Sequence, residues 1–371
     1  MMKEQFEGYT YVDGGVCAAQ GFRANGLNCG LNRDKNKNDL ALVVSDVECN
    51  AAAVYTTNKV KGAPILVTKK HLASTNGKAQ AVIANSKNAN TCNADGEEKA
   101  QCMTELAAKA LGMSADDVLV ASTGVIGQIL PIEPIESHMQ ELVNGLSYNG
   151  NAKAVNAIMT TDAVISKELI QKALSEITKI TYNCLSIDGD TSTNDMVLVM
   201  ANGLAGNAEI NKEDEAYAAF KQALYIVMMN MTKMLAADGE GASKMIECTV
   251  SEAKDLDTAI IVAKSVIRSP LFKCAMFGED ANWGRILCAI GYAEAEFDIH
   301  KVDVDLASAK GVLPVCRNGA GVEFSEELAK EILSENEIFV NISLHEGEIT
   351  AKAWGCDLTY DYVKINGDYR S

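Results

Sequence analysis

Proline is scarce in this chain. Five occur in 371 residues, at positions 64, 131, 134, 270 and 314, so residues 135–269 contain none. A proline inside a helix removes a hydrogen bond and clashes with the preceding turn. Its absence leaves this stretch open to long uninterrupted helices and strands. The length corresponds to two to three domains at roughly 150 residues each, enough to bury a large core without disulfide or metal staples.

Hydrophobic spacing then assigns elements. Residues 96–111 place Ala100, Met103, Leu106, Ala107 and Leu111 on one helical face, and 117–121 form a short apolar strand. That strand runs into Ser122-Thr123-Gly124-Val125-Ile126-Gly127, a glycine-bearing turn of the kind that exposes backbone N–H groups. Ser166 can cap a helix whose stripe is Leu169, Ile170, Ala173, Leu174 and Ile177, and 196–201 is a buried strand. Residues 212–237 and 257–268 are amphipathic helices, the second stopped by Pro270. From Ile338 the alternation predicts a hairpin, its turn at His345-Glu346-Gly347-Glu348. The chain is mixed α/β, without an internal repeat or a low-complexity linker.

Charge and composition narrow the function. The net charge of −17 opposes binding to a phosphate backbone, so no nucleic-acid partner is expected. No apolar run reaches the ~18 residues of a membrane span. The acidic N-terminal stretch does not resemble a secretory signal, so a cytoplasmic location is expected. The 11 cysteines show no CxxC spacing, and the four histidines show no HxH or HExxH pattern; they read as reduced thiols, with no metal site expected. Neither nucleotide-binding glycine signature is present. The acidic run 188–195 is similar to a calcium loop, but Thr193 stands at the sixth position, where glycine is required, and no glutamate stands at the twelfth. A self-bonded turn is the favoured reading. The glycines of Asp238-Gly239-Glu240-Gly241 read as the cap of a long helix, and Asn282-Trp283-Gly284-Arg285 as a helix start with a packed tryptophan. Spacing alone stops at an α/β enzyme.

Taken together, the motifs are more specific. STGVIG (122–127), NAIMTTDA (156–163), IDGDTSTND (187–195), ANGLAGN (201–207), DGEGASK (238–244), SPLFKCAMFGEDANWGRI (269–286) and INGDYRS (365–371) resemble the ornithine acetyltransferases, bifunctional glutamate N-acetyltransferases of arginine biosynthesis. The resemblance implies a two-lobed αββα sandwich of the DmpA-like type, with lobes at 1–245 and 246–371. It implies acetyl transfer from N-acetylornithine to glutamate, no cofactor, acetyl-CoA as a second acetyl donor in some members, and an oligomer of cleaved α and β chains. By match to the family pattern, Thr123 and Gly124 form the oxyanion hole, and Thr160, Thr161, Glu240, Asn366 and Ser371 contact substrate. The family nucleophile is an N-terminal threonine freed by self-cleavage at an Ala-Thr bond, whose own α-amine serves as base.

One departure stands out. The family pattern has two Thr-Thr-Asp stretches, with a glycine-rich segment, a lysine and the cleavage sequence between them. This chain has a single stretch, Thr160-Thr161-Asp162, and passes at once to Ala163-Val164-Ile165-Ser166. The junction lies near 162/163, and no nucleophile is found. The resemblance therefore supports either an acetyltransferase or a shortened, catalytically inactive member that binds substrate or a partner. A nucleophile-dependent amidase or aminopeptidase is a weaker alternative, and Thr160 or Thr161 as replacement nucleophile lacks a base. Without an Ala-Thr cleavage site the protein is expected to remain one polypeptide. A denaturing gel showing two bands, one beginning with a new N-terminal threonine, would refute this.

Overall fold

A computed structural model describes residues 5–153 and 158–368. The strands are β1 (Phe22–Leu27), β2 (Leu40–Tyr55), β3 (Lys78–Asn85), β4 (Val118–Ser122), β5 (Ile158–Thr161), β6 (Leu185–Ser186), β7 (Met196–Ala201), β8 (Met245–Ala253), β9 (Asp303–Ser308), β10 (Gly311–Arg317), β11 (Ala320–Gly321), β12 (Glu337–Ser343) and β13 (Ile349–Cys356). The helices are α1 (Ala63–Ser74), α2 (Gly96–Leu111), α3 (Glu133–Asn144), α4 (Lys167–Ile180), α5 (Glu215–Ala237), α6 (Leu256–Arg268), α7 (Pro270–Phe277), α8 (Trp283–Gly291), α9 (Glu326–Leu333) and α10 (Tyr360–Asp368). The fold is mixed α/β with two sheets. Two compact units divide the described residues: one holds 6–153, 158–175 and 191–221, the other 176–190 and 222–368. They interleave along the sequence.

In the first unit a six-stranded sheet runs in the order β4-β3-β2-β7-β5, with β1 also paired to β2. β2 is 16 residues long and rich in Val and Ala. Leu40, Leu42 and Val44 pack with Ala63 and Val67 of α1, Ala100, Met103 and Ala107 of α2, and Ile135, Met139 and Leu142 of α3. The intervening Ala41 and Val43 belong to a separate core on the opposite face, with Phe22, Val82, Leu119, Leu198 and Met200. Burial on both faces explains why 40–44 and 51–53 read as apolar runs rather than alternations, while Asp46, Val47 and Glu48 between them are exposed. The stripe foreseen on α4 is buried throughout, from Leu169 to Ile177.

The second unit holds a seven-stranded sheet, β11-β10-β9-β12-β8-β13-β6. α6 begins where the Asp255 carboxylate accepts the Thr258 N–H at 2.7 Å. It ends at Ser269, which caps α7 in turn. The hairpin expected after Ile338 does not form. Both of its strands exist, but β8 lies between them, parallel to β12 and antiparallel to β13. The cause lies in the connection: Leu344 and Glu346 donate their N–H groups to the Ser251 and Glu252 carbonyls, carrying the chain across the end of β8. That strand buries Met245, Ile246, Cys248 and Val250.

A buried carboxylate ties this sheet together. Glu247 is 3% exposed; it accepts Trp354 Nε1 at 2.8 Å and Lys352 Nζ at 2.7 Å, with Lys233 Nζ at 3.0 Å. Burial opposes its charge, but the two lysines outweigh burial and hold its carboxyl below the usual range. A folded-state pKa below the unfolded value means stability that is present at neutral pH and lost as pH falls through the carboxylate range. Glu247→Gln should cost about 3 kcal/mol at pH 7, because it leaves two partly buried ammonium groups without their carboxylate. The difference from wild type should shrink in denaturant titrations near pH 3. Equal stability at pH 7 would remove the role assigned to this network.

Candidate active site

The Thr123-Gly124 turn leaves the end of β4 and is fixed by the loop that follows β3. Thr123 N–H donates to the Asn85 carbonyl at 3.0 Å and Val125 N–H to that of Lys87 at 3.2 Å; Ala89 N–H returns to Val125 at 3.0 Å. Gly124 has φ +135°, and a Cβ there would lie 2.2 Å from the carbonyl carbon of Lys87 and 2.4 Å from Asn88 N. Only glycine fits. Lys87 itself has φ +74°, a left-handed conformation that costs a side-chain-bearing residue about 1 kcal/mol.

Asparagines hold the loops together. Asn194 Nδ2 donates to the Ala89 carbonyl at 2.7 Å and the Ser122 carbonyl at 2.8 Å. Its Oδ1 accepts the hydroxyls of Thr91 at 2.7 Å and Thr193 at 2.6 Å. Asn85 Oδ1 accepts from Ser122 Oγ at 2.6 Å, and Asn85 Nδ2 donates to the Asn88 carbonyl at 2.9 Å. Ala89, Thr123, Gly124, Ile126 and 191–194 line a small cavity of about 200 Å³. Among the described residues, no protein acceptor takes the Thr123 hydroxyl or the Gly124 N–H. Thr123 is exposed and Gly124 half-buried, so two donors are left for a ligand oxygen. A larger cavity, about 780 Å³ over Ala51–Ala53 between α1 and α4, contains none of the expected site residues.

Thr160 and Thr161 end β5, and the structure does not bring them to this turn. Thr161 is level with Ala201, Asn50 and Lys78, whereas Ser122 is level with Asn85. Lys78 and Asn85 are seven positions apart along β3, about 23 Å at ~3.3 Å per residue. The Thr160 hydroxyl donates to the Val16 carbonyl at 2.8 Å, and the Thr161 hydroxyl accepts Ala163 N–H at 3.2 Å.

The second unit brings Glu240 and Asn366 together. Asn366 Nδ2 donates to Glu240 Oε2 at 2.7 Å and to the Tyr362 carbonyl at 3.1 Å. Gly241, at φ +68°, lets the start of α10 approach, since a Cβ there would meet Tyr362 N at 2.7 Å. Tyr362 donates its hydroxyl to Asp188 at 3.1 Å; burial, then Asp188, push that phenol up to about 12. Ser371 lies outside the described residues. The acidic run closes on itself at both ends, with Asp190 N–H on Asp188 Oδ1 at 2.9 Å and Asn194 N–H on Ser192 Oγ at 3.1 Å. No group of three or more metal-ligating side chains is assembled among the described residues, nor is any helix there long and apolar enough to cross a membrane.

The profile of the ArgJ family matches residues 23–164 and, separately, 157–371. The chain belongs to the ArgJ family. It is thus a chain of an acyltransferase family of arginine biosynthesis. Arginine biosynthesis bifunctional protein ArgJ 1 of Clostridium acetobutylicum is 44% identical over 394 positions, covering 94% of this chain and 96% of that protein. The ArgJ protein of Caldanaerobacter subterraneus subsp. tengcongensis is 42% identical over 404 positions, covering 97% and 99%. A solved chain of ArgJ from Bacillus halodurans is 46% identical, with a TM-score of 0.54 over 57% of this chain and 98% of that one. The Clostridium alignment engages about 349 residues of this chain, so about 45 of its positions face nothing here. Residues 157–164 are matched twice, as the end of one family segment and the start of the next.

Asn194 and Lys87 are the structural residues that motif reading did not single out for a role. Their signals were the asparagine density of 85–90 and the Ser-Thr-Asn-Asp of 192–195. Gly124→Ala should destabilise the first unit by about 3 kcal/mol through overpacking against backbone. Lys87→Gly should stabilise it by about 0.5 kcal/mol, the relief of strain exceeding the added unfolded-state entropy. Chemical denaturation of both variants tests this, and shifts of the same sign would sink the assignment of strain.

Proposed function

We propose that this protein carries the acyl-oxygen-binding part of a site for acetyl transfer from N-acetylornithine to glutamate. The observation that carries the reading is the pair of unclaimed donors, the Thr123 hydroxyl and the Gly124 N–H, held on a turn that tolerates only glycine. In acyl transfer the carbonyl oxygen gains negative charge as a nucleophile adds, and preorganised donors aimed at it are worth several kcal/mol. Glu240 supplies an exposed carboxylate suited to a substrate ammonium, and Asn366 holds that carboxylate in place. In this reading the protein works in the cytoplasm as an oligomer and uses no cofactor, and acetyl-CoA is a candidate second donor.

A second reading is favoured by the doubly matched 157–164 and by the alignment positions that face no residue of this chain. In that reading the chain binds N-acetylornithine and does not turn it over. Loss of a catalytic nucleophile costs on the order of 10⁴- to 10⁶-fold in rate, while the oxyanion donors and binding contacts leave a residue of activity. The expected result is N-acetylornithine binding by calorimetry, with transfer to glutamate at least ~10⁴-fold slower than in the Clostridium relative. Ordinary turnover by protein of confirmed intact mass would mean that another residue supplies the nucleophile. Absence of binding would end both readings.

A further inference from the structure

We propose that Lys273 and Cys356 are a modification site, joined by a covalent nitrogen–sulfur bond when the protein meets hydrogen peroxide. The two residues are 83 positions apart in sequence, and both are almost wholly buried, at 3% and 2% exposure. α7 delivers the lysine, and the last residue of β13 delivers the cysteine. Lys273 Nζ donates to the Cys356 carbonyl and lies 3.5 Å from Cys356 Sγ. Among the described residues no carboxylate forms a salt bridge with this lysine, so its amine is committed to Cys356 alone.

The surroundings hold the pair in register. Leu358 N–H donates to the Lys273 carbonyl at 3.3 Å. The adjacent Asp357 carboxylate accepts the N–H groups of Ser243 at 2.9 Å and Lys244 at 3.0 Å. On its other side Cys356 Sγ supports the loop that carries Glu240, since a Cβ on Gly239 would come within 2.8 Å of it. Burial pushes the thiol up, and Lys273 is the largest influence in the opposite direction, toward the thiolate that reacts.

The chemistry balances with one peroxide. The thiolate attacks a peroxide oxygen, the S–O bond forms as the O–O bond breaks, and the departing hydroxide takes a proton from the lysine ammonium and leaves as water. The amine lone pair then attacks the sulfenic sulfur, the N–S bond forms as the S–O bond breaks, and the second hydroxide removes the remaining excess proton from nitrogen. Sulfur loses two electrons, peroxide gains two, and the products are a sulfenamide and two waters. Bond formation draws Sγ toward α7 and away from Gly239, so the oxidised state alters the support of the Glu240 loop.

Peptide mapping after treatment of the intact native protein with hydrogen peroxide tests this. Tryptic cleavage after Lys273 should be lost. The peptides containing Lys273 and Cys356 should be recovered joined, lighter by two hydrogen atoms than their sum, and dithiothreitol should separate them. Cys356→Ser and Lys273→Arg should each abolish the joined species. Retained cleavage after Lys273, with Cys356 found as free thiol, sulfinic acid or sulfonic acid, would overturn the proposal. Formation of the joined species only in denatured protein would overturn it equally.

Discussion

The long strand β2 is the constraint on which the first unit depends. Its 16 residues accept β3 along 40–50, β7 along 50–55 and β1 along 40–45, and it is interrupted by an irregularity between Val44 and Cys49. Where both its faces are buried, at 40–44 and 51–53, the strand is apolar on both, and every inward branch must fit the spacing of the layer it meets. The helix-facing positions are therefore large, as in Leu40 and Leu42, and the opposite positions are smaller, as in Ala41 and Ala51. The stagger of β3 and β7 on this template places the end of β4 and the end of β5 at different levels. Separation of Thr123 from Thr161 is a consequence of strand register, and no side-chain rotation can close a gap of about 23 Å.

The candidate site is held by amides rather than by charges. Asn85 and Asn194 each present a donor and an acceptor at fixed separation; Asn85 uses both at the paired ends of β3 and β4 and in the loop that follows β3, and Asn194 ties that loop to the end of β4. Backbone carbonyls at strand ends need such partners when they are buried. An amide suits a site where an oxyanion is to be bound, because it orders the loop without adding a nearby negative charge that would repel the developing one.

Much of the secondary structure was legible in the sequence, because periodicity reports burial directly. The 96–111 helix, the α4 stripe and the 196–201 strand agree with the structure residue by residue. Pairing was less legible. Ile338–Leu344 and 349–354 carry the alternation of a hairpin, but nothing local announces that β8, more than 80 residues upstream, will lie between them. The turn at 122–127 was legible from its glycines, and at Gly124 the structure requires one, since a Cβ there would fall within 2.5 Å of the backbone at 87–88. The role of Asn194 was not, since it depends on partners 72 and 105 positions distant. Glu240 and Asn366 were found through motif resemblance, and their mutual hydrogen bond is a tertiary fact that spacing does not contain.

The stretch 157–164 concentrates the remaining question about function in physical form. It matches two places in the family profile, yet one piece of chain occupies one place in a fold. Here it supplies β5, a four-residue strand parallel to β7, and runs on toward α4. In that position the Thr160 hydroxyl is committed to the Val16 carbonyl, and Asp162 accepts the Gln20 N–H at 3.0 Å. These bonds suit a structural strand end. A catalytic threonine needs an unclaimed hydroxyl and a base beside it, so the geometry argues against Thr160 as a substitute nucleophile. The single stretch supplies β5 to the sheet, while about 45 positions of the Clostridium alignment face no residue of this chain. The fold of the first unit and the order of the Thr123-Gly124 turn rest on β2, Gly124 and Asn194, all outside the doubly matched stretch.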